Sequence, residues 1–251
     1  MNVMNTIRSA KRNILWILVL VLSLAGIAAA DGMLVPVDDE VMVQGSWAVK
    51  YHRVNIEVDE QLASVTIEQE FINTGEGMIE VEYLFPVPPG AGIDSLTLTV
   101  DDQAFAAEML PADEARKIYE DIVRRKKDPA LLEYAGYGLY RTKAFPLEKD
   151  KPITMQVTYK MLCPKNGQAV EVFYPLNTEK FSSKAIEDVS VTVDITSTTD
   201  VTGWYSQTHD IKVERKTAGH VIATMSAENV IPKEDFSMYY TLSDKDVGAS
   251  L

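Results

Sequence analysis

Ile153, Met155, Val157, Tyr159 and Met161 alternate with Thr154, Gln156, Thr158 and Lys160. An apolar and polar period of two makes one buried and one wet face only when the chain is extended, so this run predicts a half-buried β-strand. The same period returns in Val65, Ile67 and Phe71, in Ile79, Val81, Tyr83 and Phe85, and in Leu96, Leu98 and Val100. After Pro164 it continues in Val170, Val172 and Tyr174, in Val189, Val191, Val193 and Ile195, in Ile211 and Val213, in Val221, Ala223 and Met225, and in Phe236, Met238, Tyr240 and Leu242. Turn-forming residues such as Asn73-Thr74-Gly75-Glu76-Gly77 and the stretch from Pro86 to Gly92 separate the runs. The expected fold is mostly β: one antiparallel β-sandwich or two stacked ones. Trp47, Val49 and Tyr51 occupy odd positions whereas Val54, Ile56 and Val58 occupy even ones, which predicts a bulge or bend near His52-Arg53.

One stretch breaks the pattern. Between Pro111 and Pro129, Ala115, Ile118, Tyr119, Ile122 and Val123 recur at spacings of three and four, which predicts an inserted amphipathic helix over about 112–127. Asp113 and Glu114 fall in its first turn and Arg124 to Lys127 in its last, in accord with the helix dipole. That placement accounts for the only basic run in the chain without a ligand.

The first 30 residues follow different rules. Arg8, Lys11 and Arg12 precede the apolar run Ile14 to Ile27, and Ala28-Ala29-Ala30 precede Asp31. A basic segment, an apolar segment and an A-x-A site make a secretory signal peptide cleaved after Ala30, with Ala28 and Ala30 as the small residues. An uncleaved anchor is the alternative, because Ile14 to Ala30 touches the lower limit for a membrane span. The expected chain is therefore exported (periplasmic, secreted or at the cell surface), with no membrane span after cleavage. Cleavage removes three basic and no acidic residues, so 21 basic side chains face 37 acidic ones and the net charge moves from -13 to -16. Such a surface repels phosphate backbones, which excludes nucleic acid as a partner. The single Cys163 excludes an internal disulfide and a thiolate metal cage; lying before Pro164, it is expected to be buried and inert. The 46% of hydrophobic residues provides a core of domain size.

Catalytic constellations are missing. The chain holds no G-x-S-x-G, H-E-x-x-H, Walker A or Cys-x-x-Cys pattern, and the glycine pairs Gly90/Gly92 and Gly136/Gly138 lack the context of a dinucleotide site, so no cofactor and no metal is expected. Paired acids such as Asp101-Asp102 or Glu68 with Glu70 leave open a polysaccharide hydrolase, and the -16 charge leaves open a calcium-dependent adhesion protein. His209, without a nearby nucleophile, reads as part of a polar turn. Asp194-Ile-Thr196-Ser-Thr198 has an outward similarity to a divalent-ion loop, but the strand before it alternates and no helical pattern follows.

Several segments share an order with a known family. They are Phe71-Ile72-Asn73-Thr74, Tyr83-Leu84-Phe85-Pro86-Val87-Pro88, Ala115-Arg116-Lys117-Ile118-Tyr119, Asp128-Pro129-Ala130-Leu131-Leu132-Glu133, Phe145-Pro146-Leu147 and Val157-Thr158-Tyr159. In this order they resemble the VIT domain, the vault protein and inter-α-trypsin inhibitor heavy-chain module. The resemblance implies a non-enzymatic interaction and scaffold module, with a protein or an extracellular matrix or glycan as partner. It implies structural roles for Phe71, Asn73, Tyr83, Phe85, Pro86, Ala115, Tyr119, Leu131, Leu132, Glu133, Phe145 and Tyr159. The organisation expected is a signal peptide over 1–30, a lead-in over 31–46, the VIT domain over 47–163 and a β-rich continuation over 164–251. The type A von Willebrand domain that usually follows this module in the family is expected to be absent from this chain.

Overall fold

The computed structural model describes residues 32–37, 47–88, 90–106, 138–142, 145–177 and 184–243. The helix expected over 112–127 lies outside the described residues, as do Ala28, Ala30, Asp31, Ala115, Tyr119, Leu131, Leu132 and Glu133. Every regular element among the described residues is a strand.

Eight strands form one sheet: β2 (Trp47–Asp59), β3 (Leu62–Asn73), β5 (Gly92–Val100), β6 (Gln103–Ala106), β9 (Pro152–Leu162), β12 (Ile186–Thr196), β14 (Lys212–Thr217) and β15 (His220–Val230). Their order is β14-β15-β12-β2-β3-β9-β5-β6. All neighbours are antiparallel except β12 and β2, which run parallel. Register fixes the two faces. Ala223, Val193, Ile56, Val65 and Tyr159 stand side by side across five strands and are all buried. One residue further along, Asp194, Glu57, Ser64 and Lys160 form the neighbouring row on the wet face.

Two small sheets cover the buried face. The first joins β1 (Met33–Pro36), β4 (Ile79–Val87), β7 (Gly138–Arg141) and β8 (Phe145–Leu147), with β4 in the middle. The second joins β10 (Lys165–Asn166), β11 (Ala169–Tyr174), β16 (Phe236–Leu242) and β13 (Val201–Ser206). Phe85 of β4 meets Tyr159 of β9, and Tyr174 of β11 meets His52 of β2. The result is two β-sandwiches that share one wall, their buried side chains forming a single cluster. The mostly β expectation therefore holds for the described residues, but the large sheet is mixed and not purely antiparallel, since β12 and β2 run parallel.

Two further details differ from the expectation and have physical reasons. The bulge in β2 falls between Val49 and Tyr51, two residues before the place where the alternation suggested it. Tyr51 faces solvent opposite Glu70, with the Arg53 guanidinium 4.1 Å from its ring centroid, so an aromatic residue that reads as apolar belongs to the wet face. β4 also runs on through Pro86 to Val87. Pro86 pairs with Leu139, but β1 has already ended at Met33 opposite Leu84, so no partner on that side needs the missing N–H.

Candidate functional site

Among the described residues, aromatic groups that carried the family resemblance converge. Phe71 and Tyr83 meet edge to face at 6.0 Å, Tyr83 and Phe85 stack at 6.1 Å, and Phe85 and Tyr159 meet at 6.2 Å. All four are at most 2% exposed, so they form one aromatic file between the large sheet and the first small one. Phe145 packs against the same core. Asn73 is fully buried and closes the end of the file. Its amide nitrogen donates to the carbonyls of Gly77 at 2.7 Å and Leu147 at 2.9 Å, and its Oδ1 accepts from the Gly75 N–H at 2.8 Å. One side chain thus pins the β3–β4 turn to β8, as an Asx turn with a second anchor.

Behind the file runs a polar chain that the residue types alone do not reveal. The Tyr83 hydroxyl donates to Gln69 Oε1 at 2.5 Å, and the Gln69 amide donates to His52 Nδ1 at 3.1 Å. Nδ1 being an acceptor, the imidazole carries its proton on Nε2, which donates to the Tyr174 oxygen at 2.8 Å. His52 is 0% and Gln69 1% exposed. The chain crosses from β4 through β3 and β2 to β11, and so ties the two small sheets together over their common wall. Gly32 belongs to it as well: a Cβ there would sit 1.8 Å from the Tyr83 hydroxyl oxygen. The one signal for this arrangement is position. Gln69 stands between Ile67 and Phe71 on the inward phase of its strand, where a polar residue needs a partner.

A third node joins the large sheet to the second small one at the β2–β3 turn. Glu60 adopts a left-handed backbone (φ 57°), and its carboxylate accepts from the Thr198 N–H, the Thr198 hydroxyl and the Ser197 hydroxyl at 2.6, 2.8 and 2.9 Å. These bonds, the Thr198 backbone N–H foremost, hold the carboxyl below its ordinary pKa. The Glu60 carbonyl takes the Tyr240 hydroxyl of β16. The loop with outward similarity to an ion site is thereby spent: Thr196 donates to the Val58 carbonyl at 3.2 Å, and Asp194 pairs with His220 at 2.9 Å. Among the described residues no group of three or more His, Cys, Asp or Glu side chains is placed to hold a metal ion.

The acid pairs also have structural places. Asp101 and Asp102 are exposed and left-handed (φ 48° and 61°) at the two-residue turn between β5 and β6, a turn that selects such residues. Glu68 and Glu70 stand on the wet face opposite Arg53 and Tyr51. Burial raises the Cys163 thiol to about 11, which leaves it protonated at neutral pH.

Residues 49–159 match the vault protein inter-alpha-trypsin domain family. Over 239 residues the chain is 22% identical to the human protein mono-ADP-ribosyltransferase PARP4, a stretch that is 87% of this chain and 13% of that protein. Its fold is similar to the crystal structure of a "putative nutrient binding protein" from Legionella pneumophila, with a TM-score of 0.56 at 12% identity over 85% of this chain and 72% of that one. The matched segment runs from the bulge of β2 to the last aromatic of the file, and contains Phe71, Asn73, Tyr83, Phe85 and Tyr159. By sequence, the chain thus carries a vault protein inter-alpha-trypsin (VIT) domain at residues 49–159.

Proposed function

We propose that the chain is an exported, non-catalytic interaction and scaffold module of the VIT type, which braces or presents a partner protein or an adjacent domain at the cell envelope. The observation that carries this reading is where the family's residues go. Phe71, Tyr83, Phe85, Tyr159 and Asn73 are consumed in packing and turn closure, so what the module offers a partner is its rigid, water-facing sheet. That face is built to stay in solution, with Arg53 bonded to Asp188 at 2.8 Å and acids interleaved with hydroxyls. Export rests on the leader pattern of residues 1–30. The region shared with the human transferase is 13% of that protein, so its activity does not come with the resemblance.

The test is cross-linking of the protein in its native envelope with N-terminal mass analysis of the same sample. Expected are a chain beginning at Asp31 and a defined protein cross-linked through wet-face residues such as Lys160. A chain retaining Met1 in the cytoplasm defeats the export half. Turnover of a polysaccharide by the purified protein defeats the non-catalytic half.

A further inference from the structure

Residues 201–217 lie outside the VIT match and hold the two longest edge strands among the described residues, β13 and β14. Arg215 of β14 reaches the Val201 carbonyl of β13 and lies 5.3 Å from the Trp204 ring centroid, so the two edges open side by side. An open edge presents unpaired backbone groups and invites a further strand. β14 is defended against this, because Lys212, Arg215 and Lys216 stand on it and its ladder is irregular between Arg215 and Thr217. β13 reads Val-Thr-Gly-Trp-Tyr-Ser and has neither a charge nor a proline. Its register shifts between Val201 and Gly203, and Arg215 takes the Val201 carbonyl, so the undefended stretch runs from Gly203 to Ser206.

That stretch carries an exposed aromatic residue on each face of its sheet. Trp204 stands opposite the buried Tyr240 and is 38% exposed; Tyr205 stands opposite Tyr239 on the outer face and is 62% exposed. No single small ligand touches both rings, whereas a strand laid beside β13 covers one on each side. The order of side chains selects that strand. If a second copy of β13 lies antiparallel beside the first, about a two-fold axis at Trp204, directly opposite residues share a face: Trp204 meets the partner's Trp204, and Tyr205 meets the partner's Gly203, twice over. Aromatic pairs are favourable cross-strand contacts, and a ring laid over an edge glycine supplies the side chain the glycine lacks. Gly203 has no room for its own, since a Cβ there would sit 2.9 Å from Thr241 Oγ1.

Charge agrees with the same axis. Arg215 lies by the Val201 end of β13, and Asp210, in the loop after Ser206, lines the hollow by the other end. Neither has an ion-pair partner among the described residues. Antiparallel pairing carries the cation end of each copy to the anion end of the other. We propose that β13 pairs antiparallel with β13 of a second copy, about a two-fold axis at Trp204, and that the chain forms a homodimer through this edge. So short an edge buries less than the roughly 1,200 Å² of a standard interface, so the association is weak and concentration-dependent. The edge lies outside the VIT match, and the proposal goes beyond the scaffold reading without resting on it.

Analytical ultracentrifugation of the purified protein tests this. Between about 1 µM and 1 mM the weight-average mass should rise from one chain towards two and stop there. Tyr205→Lys, at an exposed position, should hold the mass at one chain while leaving the melting temperature unchanged. Register is tested by oxidation. Trp204→Cys should be trapped as a disulfide-linked dimer much faster than Tyr205→Cys, because residue 204 faces its own copy across the axis and residue 205 does not. Cys163 is buried and does not compete. A single-chain mass at every concentration, growth past two chains, a dimer unchanged in Tyr205→Lys, or equal trapping of the two cysteine variants overturns the proposal.

Discussion

A carboxylate that accepts three hydrogen bonds is a stability device with a pH signature, and Glu60 is the clearest case in this chain. Its pKa is lowered in the folded state, so its contribution is present above the ordinary carboxylate pKa of about 4.3 and is lost as pH falls through its own lower value. Glu60→Gln should therefore melt below the parent at pH 7, and the gap should narrow as pH falls below the ordinary carboxylate range; a gap that persists undiminished in acid would show that charge is not the cause. Cys163 gives a second residue-scale outcome. With its thiol pushed up to about 11 by burial, it should resist an aromatic disulfide reagent at pH 8 in the native protein and react at once in denaturant.

At the scale of elements, turns and faces were legible to different degrees. The strand Ile153 to Met161 could be read from its alternation, and its even-numbered residues do face water. Tyr51 misled because residue type and residue phase disagree there, and the bulge that resolves the conflict sits two residues earlier than expected. The family residues Phe71, Tyr83 and Phe85 were legible as packing groups, whereas His52 and Gln69 were not: polar side chains read as outward until their strand phase is weighed. Asn73 is the element-scale test. Asn73→Ala strands the Gly77 and Leu147 carbonyls and frees the Gly75 N–H, and should cost about 2–4 kcal/mol in urea unfolding. Asn73→Asp, which keeps the bond from Gly75 but has no donor, should recover only part of that.

At the scale of the whole molecule, the shared wall makes the two sandwiches one cooperative unit. Nothing local announces it, because Arg53 and Ser190, partners in the parallel ladder, lie 137 residues apart. Trp47 lies in the shared wall and Trp204 in the second small sheet, so single-tryptophan versions of the chain lacking residues 1–30 should report the same melting midpoint within about 2 °C. Two separate midpoints would mean that the second small sheet unfolds apart from the wall. The parallel ladder also imposes a schedule on synthesis. β2 is complete at Asp59, but its neighbour β12 ends only at Thr196, 137 residues later. At translation rates of about 5–20 residues per second, that interval is about 7–27 s. Throughout it one long edge of the nascent sheet has no strand beside it, so early emergence is when this chain most needs a holding factor or passage through a membrane before folding.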